Sequence, residues 1–291
     1  MESTIWGFKC QRIIILIIIM LEINAFRMDG LGNDFIIIDR RKKTINITRE
    51  QIIKIGNRDN VGFDQIIFIE KEVNNTFPIK IFNSDGNEID ACGNGARCVA
   101  YLLAKEKNLK EILLRTNNRL LEAVITSNLN VKLKMGKPLF NWNEIPLIKK
   151  MNNENITIDL EGKQKFKGFC LSVGNPHIIF FVKDYLSYNL KKLGPKIENY
   201  ELFPEKINVT FAQIIDEGNI SVNVWERGAG LTKACGTAAC ATGVAAYTKG
   251  LVKNNINIRF KKGVLNINYD KNKNIFMSGP VSDIKKITFK I

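Results

Sequence analysis

The chain has 291 residues, of which 45% are hydrophobic and 25% are charged. This composition is typical of globular proteins and the length allows about two domains, so disordered, collagenous and disulfide-dense proteins are excluded. Lys and Arg number 43 against 29 Asp and Glu, giving a formal net charge of +14, and a single histidine excludes most histidine-rich metal sites.

The positive charge is spread along the whole chain. Basic pairs such as Lys42–Lys43, Lys149–Lys150 and Lys261–Lys262 lie far apart, and aromatic residues do not alternate with them. Nucleic-acid grooves combine a basic stripe with aromatic rings on which bases stack. The charge therefore favours a solvated basic surface. A non-catalytic binder of nucleic acid or of an anionic membrane surface remains the alternative from another functional class.

The N-terminus carries a short apolar run, IIILIIIML, at residues 13–21. A membrane-spanning helix needs about 20 apolar residues, and no cleavage site of the A-x-A kind follows the run. We therefore expect residues 1–19 to be an extension outside the fold, with Met20 as the functional start, and we expect no stable membrane insertion. A weak membrane anchor is the alternative interpretation of this run.

Short apolar runs of strand length follow, bounded by Asn, Asp and Gly as in β-hairpins. They are Phe35–Asp39, Gln65–Ile69, Ile79–Phe82, Val131–Met135, Ile178–Val182 and Ser221–Trp225. Two longer helices are predicted. The first, Asn94–Lys107, closes with Asn108, and the second, Thr237–Lys249, stops at Gly250, a residue typical of helix C-caps.

Two sequence signals recur at nearly the same offset, which indicates an internal repeat. LGNDFIIID at Leu31–Asp39 corresponds to VGNPHIIFF at Val173–Phe181, with Asn175 lying 142 residues after Asn33. ACGNGA and ACGTAA form the second pair, with Cys235 lying 143 residues after Cys92. The repeat predicts an α+β protein of two pseudo-symmetric domains, each a strongly curved, mostly antiparallel sheet or barrel around one central helix.

The repeat also suggests domain boundaries. We expect an N-terminal half at residues 20–134, a C-terminal half at residues 135–279, and a last strand at residues 280–291 that returns to the first half.

Each repeated cysteine stands just before a glycine and a predicted helix. A helix N-terminus offers unpaired N–H groups and about half a positive charge, which lower the pKa of a thiol and can hold a carboxylate. A pseudo-twofold axis would place Cys92 and Cys235 face to face across a cleft. One thiolate could then remove the α-proton of a small acid while the opposite thiol returns one, inverting the centre without a cofactor.

The other cysteines are expected to be inert. Cys98 and Cys240 lie inside the predicted helices, Cys170 lies in a strand, and no C-x-x-C motif suggests a metal or a redox pair. We expect reduced thiols, as in a cytoplasmic protein.

Eight motifs occur in order from Met20 to the C-terminus, and their combination is specific. They are MDGLGNDF at Met28–Phe35, GFDQ at Gly62–Gln65, IFNSDG at Ile81–Gly86, ACGNGARC at Ala91–Cys98, GNPH at Gly174–His177, FPEKIN at Phe203–Asn208, ERGAG at Glu226–Gly230 and ACGTAACA at Ala234–Ala241. In these motifs the chain resembles the diaminopimelate epimerases, within the wider family that includes proline racemases.

The resemblance implies interconversion of L,L- and meso-diaminopimelate, a step of lysine and peptidoglycan-precursor synthesis, with no cofactor and no metal. It also implies a homodimer, and Cys92 and Cys235 match the catalytic acid/base pair. His177 and Glu226 match groups that tune the pKa values of the two thiols. The positions that match substrate-binding residues are Asn33, Gln65, Asn83, Gly93, Asn94, Asn175, Asn208, Glu226, Arg227, Gly236 and Thr237.

The matched residue types suit a substrate with two zwitterionic ends. Asn presents a donor and an acceptor together, and Arg227 can bind a distal carboxylate through two parallel hydrogen bonds. Arg227 and the ERGAG motif therefore argue against the alternative substrate, another amino acid as in proline racemases. GNGARC lacks the third glycine of a dinucleotide-binding fingerprint, so that interpretation is rejected.

The chain departs from the family pattern at three places. Asp29 replaces a common His or Gln, Leu231 replaces a common Glu, and Thr237–Ala238 replaces a common Ser–Gly pair. Thr237 keeps its backbone N–H, so carboxylate binding is expected to survive.

Overall fold

A computed structural model describes residues 21–89, 92–160 and 164–291. The predictions for residues 1–19 and for the start at Met20 lie outside the described residues, as does Ala91 of the ACGNGARC motif. No helix of the described residues is long and apolar enough to cross a bilayer.

The elements fall into two series along the chain. The first series is β1 (Glu22–Gly30), β2 (Asn33–Asp39), α1 (Arg49–Gly56), β3 (Gln65–Ile69), β4 (Phe77–Asn83), β5 (Glu88–Ile89), α2 (Gly93–Lys107), β6 (Glu111–Arg115), β7 (Leu120–Ser127) and β8 (Asn130–Gly136). The second series begins with a 3-10 helix (Asn153–Asn155) and β9 (Ile156–Leu160) and continues with β10 (Gln164–Ser172), β11 (Pro176–Phe181), α3 (Leu190–Glu198), β12 (Asn208–Asp216), β13 (Asn219–Glu226), β14 (Gly230–Leu231), α4 (Gly236–Thr248), β15 (Asn255–Phe260), β16 (Gly263–Tyr269), β17 (Ile275–Pro280) and β18 (Lys285–Lys290).

The two halves pair their strands in the same order and with the same senses. In the first half β1–β2, β3–β4, β4–β5, β6–β7 and β7–β8 are antiparallel, while β2–β3 and β4–β6 are parallel. Strands β10 to β17 repeat this pattern pair by pair. The prediction of two repeated α+β domains is therefore confirmed.

Two strand pairings join the halves. β8 of the first half pairs antiparallel with β17 of the second. After β17 the chain returns to the first half, where β18 pairs antiparallel with β1 in the place that β9 occupies beside β10. The expected boundary between residues 134 and 135 falls within β8, which ends at Gly136.

One helix lies at the centre of each half. α2 packs against β1, β6, β7 and β8, and α4 packs against β10, β11, β16 and β17. Both helices are rich in small residues, which lets strands approach them from several sides. Cys98 and Cys240 are completely buried within these helices, and Cys170 is completely buried in β10. The helices begin one residue earlier than the sequence predicts, at Gly93 and Gly236.

Two further helices, α1 and α3, were not predicted from the sequence. They cover the outer faces of the sheets, so a strand such as β2 is buried on both sides. Phe35 and Ile37 pack in the central core with α2, whereas Ile36 and Ile38 pack in a second core with α1. α1 is only eight residues long, and α3 contains Pro195, so neither gives a clear helical pattern.

Each half also reaches across to a loop of the other half. The Lys262 side chain, from the β15–β16 turn, packs over Gly32, which precedes Asn33, and its Cγ lies 3.2 Å from where a Cβ of Gly32 would be. Arg119, from the β6–β7 turn, packs its guanidinium against Gly174, which precedes Asn175. Lys262 lies 143 residues after Arg119, so the two contacts obey the same internal repeat. Each half thereby supports the loop that carries an asparagine of the other half's site.

Candidate active site

The two repeated cysteines are the N-caps of the two central helices. Cys92 Sγ accepts a hydrogen bond from the Gly95 N–H, and Cys235 Sγ accepts one from the Ala238 N–H, each at 3.4 Å. Their backbone angles are nearly the same, with φ of −136° for Cys92 and −134° for Cys235. The helix geometry thus holds both sulfurs at the end of a row of unpaired N–H groups.

The two helix N-termini converge on Met277 of β17. A Cβ on Gly93 would lie 2.7 Å from Met277 Cε, and a Cβ on Gly236 would lie 3.0 Å from Met277 Sδ. Asn94 Oδ1 lies 3.8 Å from the same point on Gly236. A side chain at either position would displace the completely buried Met277 side chain, so glycine suits both positions. Unpaired backbone donors from both helices therefore meet in one region.

Asn33 and Asp64 flank Cys92. The Cys92 thiol donates to Asn33 Oδ1 at 3.8 Å, and Asn33 Nδ2 donates to Asp64 Oδ2 at 2.8 Å. The Asn33 loop is fixed by Asp29, whose carboxylate accepts the Gly32 N–H at 2.9 Å. The departure at position 29 thus supplies a turn-stabilising carboxylate.

Gln65 and Asn83 face each other across β3 and β4. Gln65 Nε2 donates to Asn83 Oδ1 at 3.1 Å, and Gln65 Oε1 is buried with no hydrogen-bond partner among the described residues. A buried acceptor without a partner is uncommon in folded proteins and is suited to a donor from a ligand. The structure gives no direct contact between this pair and either cysteine.

A chain of polar side chains leads to Cys235. His177 Nε2 lies 3.0 Å from Asn175 Oδ1, and Asn175 Nδ2 donates to Thr237 Oγ1 at 3.3 Å. Thr237 Oγ1 in turn lies 3.3 Å from Cys235 Sγ. Thr237 keeps the hydroxyl of the common Ser, and this hydroxyl connects Asn175 to the sulfur.

Asn208 and Arg227 are bound mainly by protein groups. Asn208 Nδ2 donates to the Pro176 carbonyl at 2.8 Å, and its Oδ1 accepts the Arg227 backbone N–H at 2.9 Å. The exposed Arg227 side chain donates to the Glu205 carbonyl at 2.9 Å. In this structure Asn208 fixes the main chain that precedes His177 and the main chain that carries Arg227.

The pKa values of both thiols are raised. Burial raises the pKa of Cys92 to about 11, although the Gly95 N–H lowers it. Burial, followed by the negative charge of Glu226, raises the pKa of Cys235 well above its ordinary value. The helix N–H groups do lower both pKa values, as expected, but the loss of hydration outweighs them, so the net shift of each thiol pKa is upward.

Glu226 and His177 have shifted pKa values of their own. Burial raises the pKa of Glu226, while its contacts with Thr232 and Cys235 act in the opposite direction. Burial lowers the pKa of His177 to about 3, with a further contribution from the positive charge of Arg227. At neutral pH His177 is therefore uncharged, and it acts as a hydrogen-bonding group toward Asn175.

Three residues beside the site were not selected from the sequence. Arg97 and Asp64 stand inside the quoted motifs ACGNGARC and GFDQ, so the motifs were the available signal. Met277 lies outside every motif, and only the three-dimensional structure places it between the helices. The described residues contain no group of His, Cys, Asp and Glu that could hold a metal ion.

Comparison with known proteins finds the same repeat. A sequence model of the family described as diaminopimelate epimerase matches residues 25–140 and 169–284. The chain is 51% identical over 274 residues to a diaminopimelate epimerase of Pelagibacter ubique, covering 93% of this chain and 100% of that protein. It is 40% identical to a diaminopimelate epimerase of a Wolbachia species, covering 88% of this chain and 96% of the relative.

A solved structure supports the fold. The chain superposes on a hydroxyproline epimerase from Agrobacterium vitis with a TM-score of 0.63 at 13% identity, covering 93% of each chain. At this identity the likeness concerns the fold alone.

Proposed function

The chain belongs to the diaminopimelate epimerase family, and from that premise we propose a cofactor-independent mechanism in which two thiols act on opposite faces of the substrate. The protein is an isomerase of the small molecule diaminopimelate. The observation that carries the proposal is the pair of matching N-caps, Cys92 and Cys235, on two helices that converge on Met277.

In the proposed reaction, one cysteine as thiolate removes the α-proton and becomes a thiol. The electron pair left on the α-carbon delocalises into the neighbouring carboxylate. The opposite thiol then delivers its proton to the other face of the carbon and becomes a thiolate. The stereocentre is inverted and the two cysteines have exchanged roles, so neither an oxidant nor a cofactor enters the balance.

The helix N-termini are proposed to bind the reacting carboxylate. The backbone N–H groups of Gly93, Asn94, Gly236 and Thr237 are the donors nearest the two caps. Their dipoles favour the charge that grows on the carboxylate as the proton leaves, and they are held in place before the reaction begins. This arrangement lowers the barrier without a metal.

The remaining predicted residues are proposed to bind the rest of the substrate. Asn33 and Asn175 lie beside the two thiols, and Gln65 with Asn83 supplies further amide groups. Arg227, with Glu226 and Asn208, is proposed to read the distal amino and carboxylate groups. A site that hydrogen-bonds the distal end can reject amino acids that lack it by large factors.

His177 and Glu226 are proposed to tune the thiols differently. Neutral His177 orients Asn175, which acts on Cys235 through Thr237. Glu226 acts directly, because its charge opposes loss of the proton from Cys235.

The test is incubation of the purified protein with L,L-diaminopimelate in D2O, followed by NMR. We expect meso-diaminopimelate carrying deuterium at the inverted α-carbon, and neither product nor exchange with the double variant Cys92→Ala/Cys235→Ala. A substrate panel including proline and 4-hydroxyproline is expected to give no turnover. Turnover of these, or epimerisation by the double variant, would contradict the proposal.

Several properties of the whole protein are also proposals. Five described cysteines are free, which supports a reducing cytoplasm. Family membership supports a homodimer and a role in peptidoglycan-precursor synthesis beside lysine synthesis. The pairing of β18 with β1 supports a first domain at residues 20–134 and 280–291 and a second at 135–279. Light scattering of the purified chain tests the dimer directly.

A further inference from the structure

Arg97 is a completely buried cation in the third position after Asn94 on α2. Its guanidinium lies against the backbone of both halves. A Cβ on Gly279 of β17 would lie 3.3 Å from Arg97 Cζ, and a Cβ on Gly30 of β1 would lie 3.6 Å from Nη2. Arg97 therefore occupies the junction of the two halves, directly behind the start of α2.

No carboxylate among the described residues pairs with this cation. Nη2 donates to Asn94 Oδ1 at 3.0 Å, Nη1 approaches Met277 Sδ at 3.7 Å, and Nε is buried with no hydrogen-bond partner in the part of the chain that the structure describes. Burying a guanidinium without an anion is strongly unfavourable, so a residue kept for stability alone would carry an acid beside it. Arg40 shows that ordinary arrangement, with Glu70 at 3.2 Å and the Phe68 ring beneath it.

The titratable groups whose charge acts on Arg97 are thiols. Cys92 and Cys98 on its own helix and Cys240 on α4 are the titratable groups whose ionised forms it would stabilise. Asp29 on β1 acts on Cys98, and Glu226 on β13 acts on Cys92. Of the three thiols only Cys92 is partly exposed and belongs to the site, since Cys98 and Cys240 are fully buried.

The Asn94 contact has a second consequence. Asn94 is 3% exposed, and its Oδ1 is occupied by Arg97, so the amide is held with Nδ2 on the other side. An amide fixed in this way presents a donor rather than an acceptor, which suits a carboxylate. Asn94 Oδ1 also lies 3.8 Å from the Cβ position of Gly236, so the fixed amide stands between the two helix starts.

We propose that Arg97 is a positioning residue of the reaction: its unpaired cation balances the negative charge of the Cys92 thiolate and the reacting carboxylate, and its hydrogen bond orients Asn94 as a donor. The inference rests on the two-thiol mechanism proposed above. The Arg97 guanidinium places a positive charge behind the helix N-termini, on the side that solvent does not reach. This charge acts on the negative charge that the reaction builds at the helix N-termini.

Three substitutions separate the two roles. Arg97→Met removes both charge and donor, Arg97→Lys keeps the charge, and Arg97→Gln keeps an amide donor for Asn94 without the charge. Arg40→Met is the matched control, because it removes an arginine that has an acidic partner and lies outside the site. The measurements are kcat and KM for diaminopimelate, the pH dependence of Cys92 alkylation by iodoacetamide, and urea unfolding.

For Arg97→Met we expect kcat to fall by about 10²-fold, as for loss of a preorganised donor, with a smaller change in KM. The pH midpoint of Cys92 alkylation should rise by about one unit. The urea midpoint should stay the same or rise, because an unpaired buried cation has been removed. Arg97→Lys should restore the alkylation midpoint, and Arg97→Gln should restore part of kcat. Arg40→Met should lower the urea midpoint and leave kcat unchanged.

An unchanged kcat and alkylation midpoint in Arg97→Met, or a lower urea midpoint as the only effect, would overturn the inference. If Arg97→Met does not fold, the Lys and Gln variants decide it, since a purely structural role predicts the same alkylation midpoint in both. Absence of epimerisation by the unmodified protein would instead contradict the proposed function, so the two failures are distinguishable.

Discussion

The two halves of the molecule place their cysteines in the same way but surround them differently. Cys92 and Cys235 share backbone angles and accept N–H groups at the same 3.4 Å. Cys92 is half-buried, donates to Asn33 and has a cation, Arg97, behind it on its own helix. Cys235 is 5% exposed and lies beside the Thr237 hydroxyl and the Glu226 carboxylate.

This difference shows which properties a repeat copies. Strand order and helix capping depend on backbone geometry, and both were kept from one half to the other. Side chains behind the thiols determine how readily each loses a proton, and these diverged. The charge of Glu226 opposes both thiolates, whereas the charge of Arg97 favours the thiolate of Cys92. A symmetric frame therefore holds two thiols in different electrostatic surroundings.

The largest effects are expected from removing one thiol at a time. Cys92→Ala and Cys235→Ala should each lower epimerisation by about 10³-fold or more, because the proton donor or acceptor on one face is lost. The remaining thiol still reaches one face, so it can remove an α-proton and return a deuteron there without inversion. In D2O, each variant should exchange the α-proton of one stereoisomer, and the two variants should prefer opposite isomers.

NMR of L,L- and meso-diaminopimelate incubated separately with each variant checks this expectation. Cys170→Ala is the matched control, because this thiol is completely buried in β10 and away from the caps. It should leave epimerisation unchanged. If both single variants exchange the same isomer, the thiols do not act on opposite faces.

A difference of intermediate size is expected between the alkylation rates of the two thiols. The Cys92 thiolate fraction rises about tenfold per pH unit up to its pKa of about 11, and Cys92 is the more exposed thiol, so it should react with iodoacetamide before Cys235. Glu226→Gln removes the negative charge beside Cys235 and should raise its alkylation rate several-fold at pH 9, with a smaller rise at Cys92.

Mass spectrometry of the two cysteine peptides over time measures both rates. Glu205→Gln is a suitable control, since it removes a neighbouring exposed carboxylate from the loop whose backbone binds Arg227. Faster alkylation of Cys235 than of Cys92 in the unmodified protein would reverse the assigned asymmetry.

Much of this comparison could be predicted from the sequence, because repeats and helix starts are local patterns. The offset of 142 to 143 residues predicted the two domains, and Gly93 and Gly236 after the cysteines predicted the caps. The thiol pKa direction could not be predicted, since burial depends on all the strands packed around α2 and α4. Arg97 stood inside a quoted motif, but only the structure shows that it has no acidic partner among the described residues.

Two helices were not predicted from the sequence, for a related reason. α1 and α3 were missed because a helix of eight or nine residues gains its stability from packing on a sheet rather than from its own sequence. Their presence explains why β2 is apolar on both faces, a feature that was visible in the sequence as Phe35–Ile38. The apolar run therefore indicated that both faces of β2 are covered, but it did not indicate which residues form the covering helix α1.

The smallest expected effect concerns His177, which has no titrating counterpart in the first half, where Phe35 takes its place in the repeat. Burial holds its folded-state pKa at about 3 against an ordinary value of 6.5, so the unfolded chain binds the proton first as pH falls. The stability contributed by neutral His177 is therefore complete above pH 6.5 and is lost between pH 6.5 and 3, by about 2 kcal/mol at pH 5.

His177→Gln keeps a donor toward Asn175 and has no such titration. The difference in the free energy of unfolding between the unmodified protein and His177→Gln should thus shrink by about 2 kcal/mol from pH 7.5 to pH 5 in urea titrations. Carboxylates such as Asp34, whose pKa is lowered to about 2 with the help of Arg58 and Arg27 although burial opposes it, are present in both proteins and cancel in the comparison. Because His177 is the only histidine of the chain, a difference that stays constant with pH would mean that His177 takes up its proton as readily in the folded state as in the unfolded one.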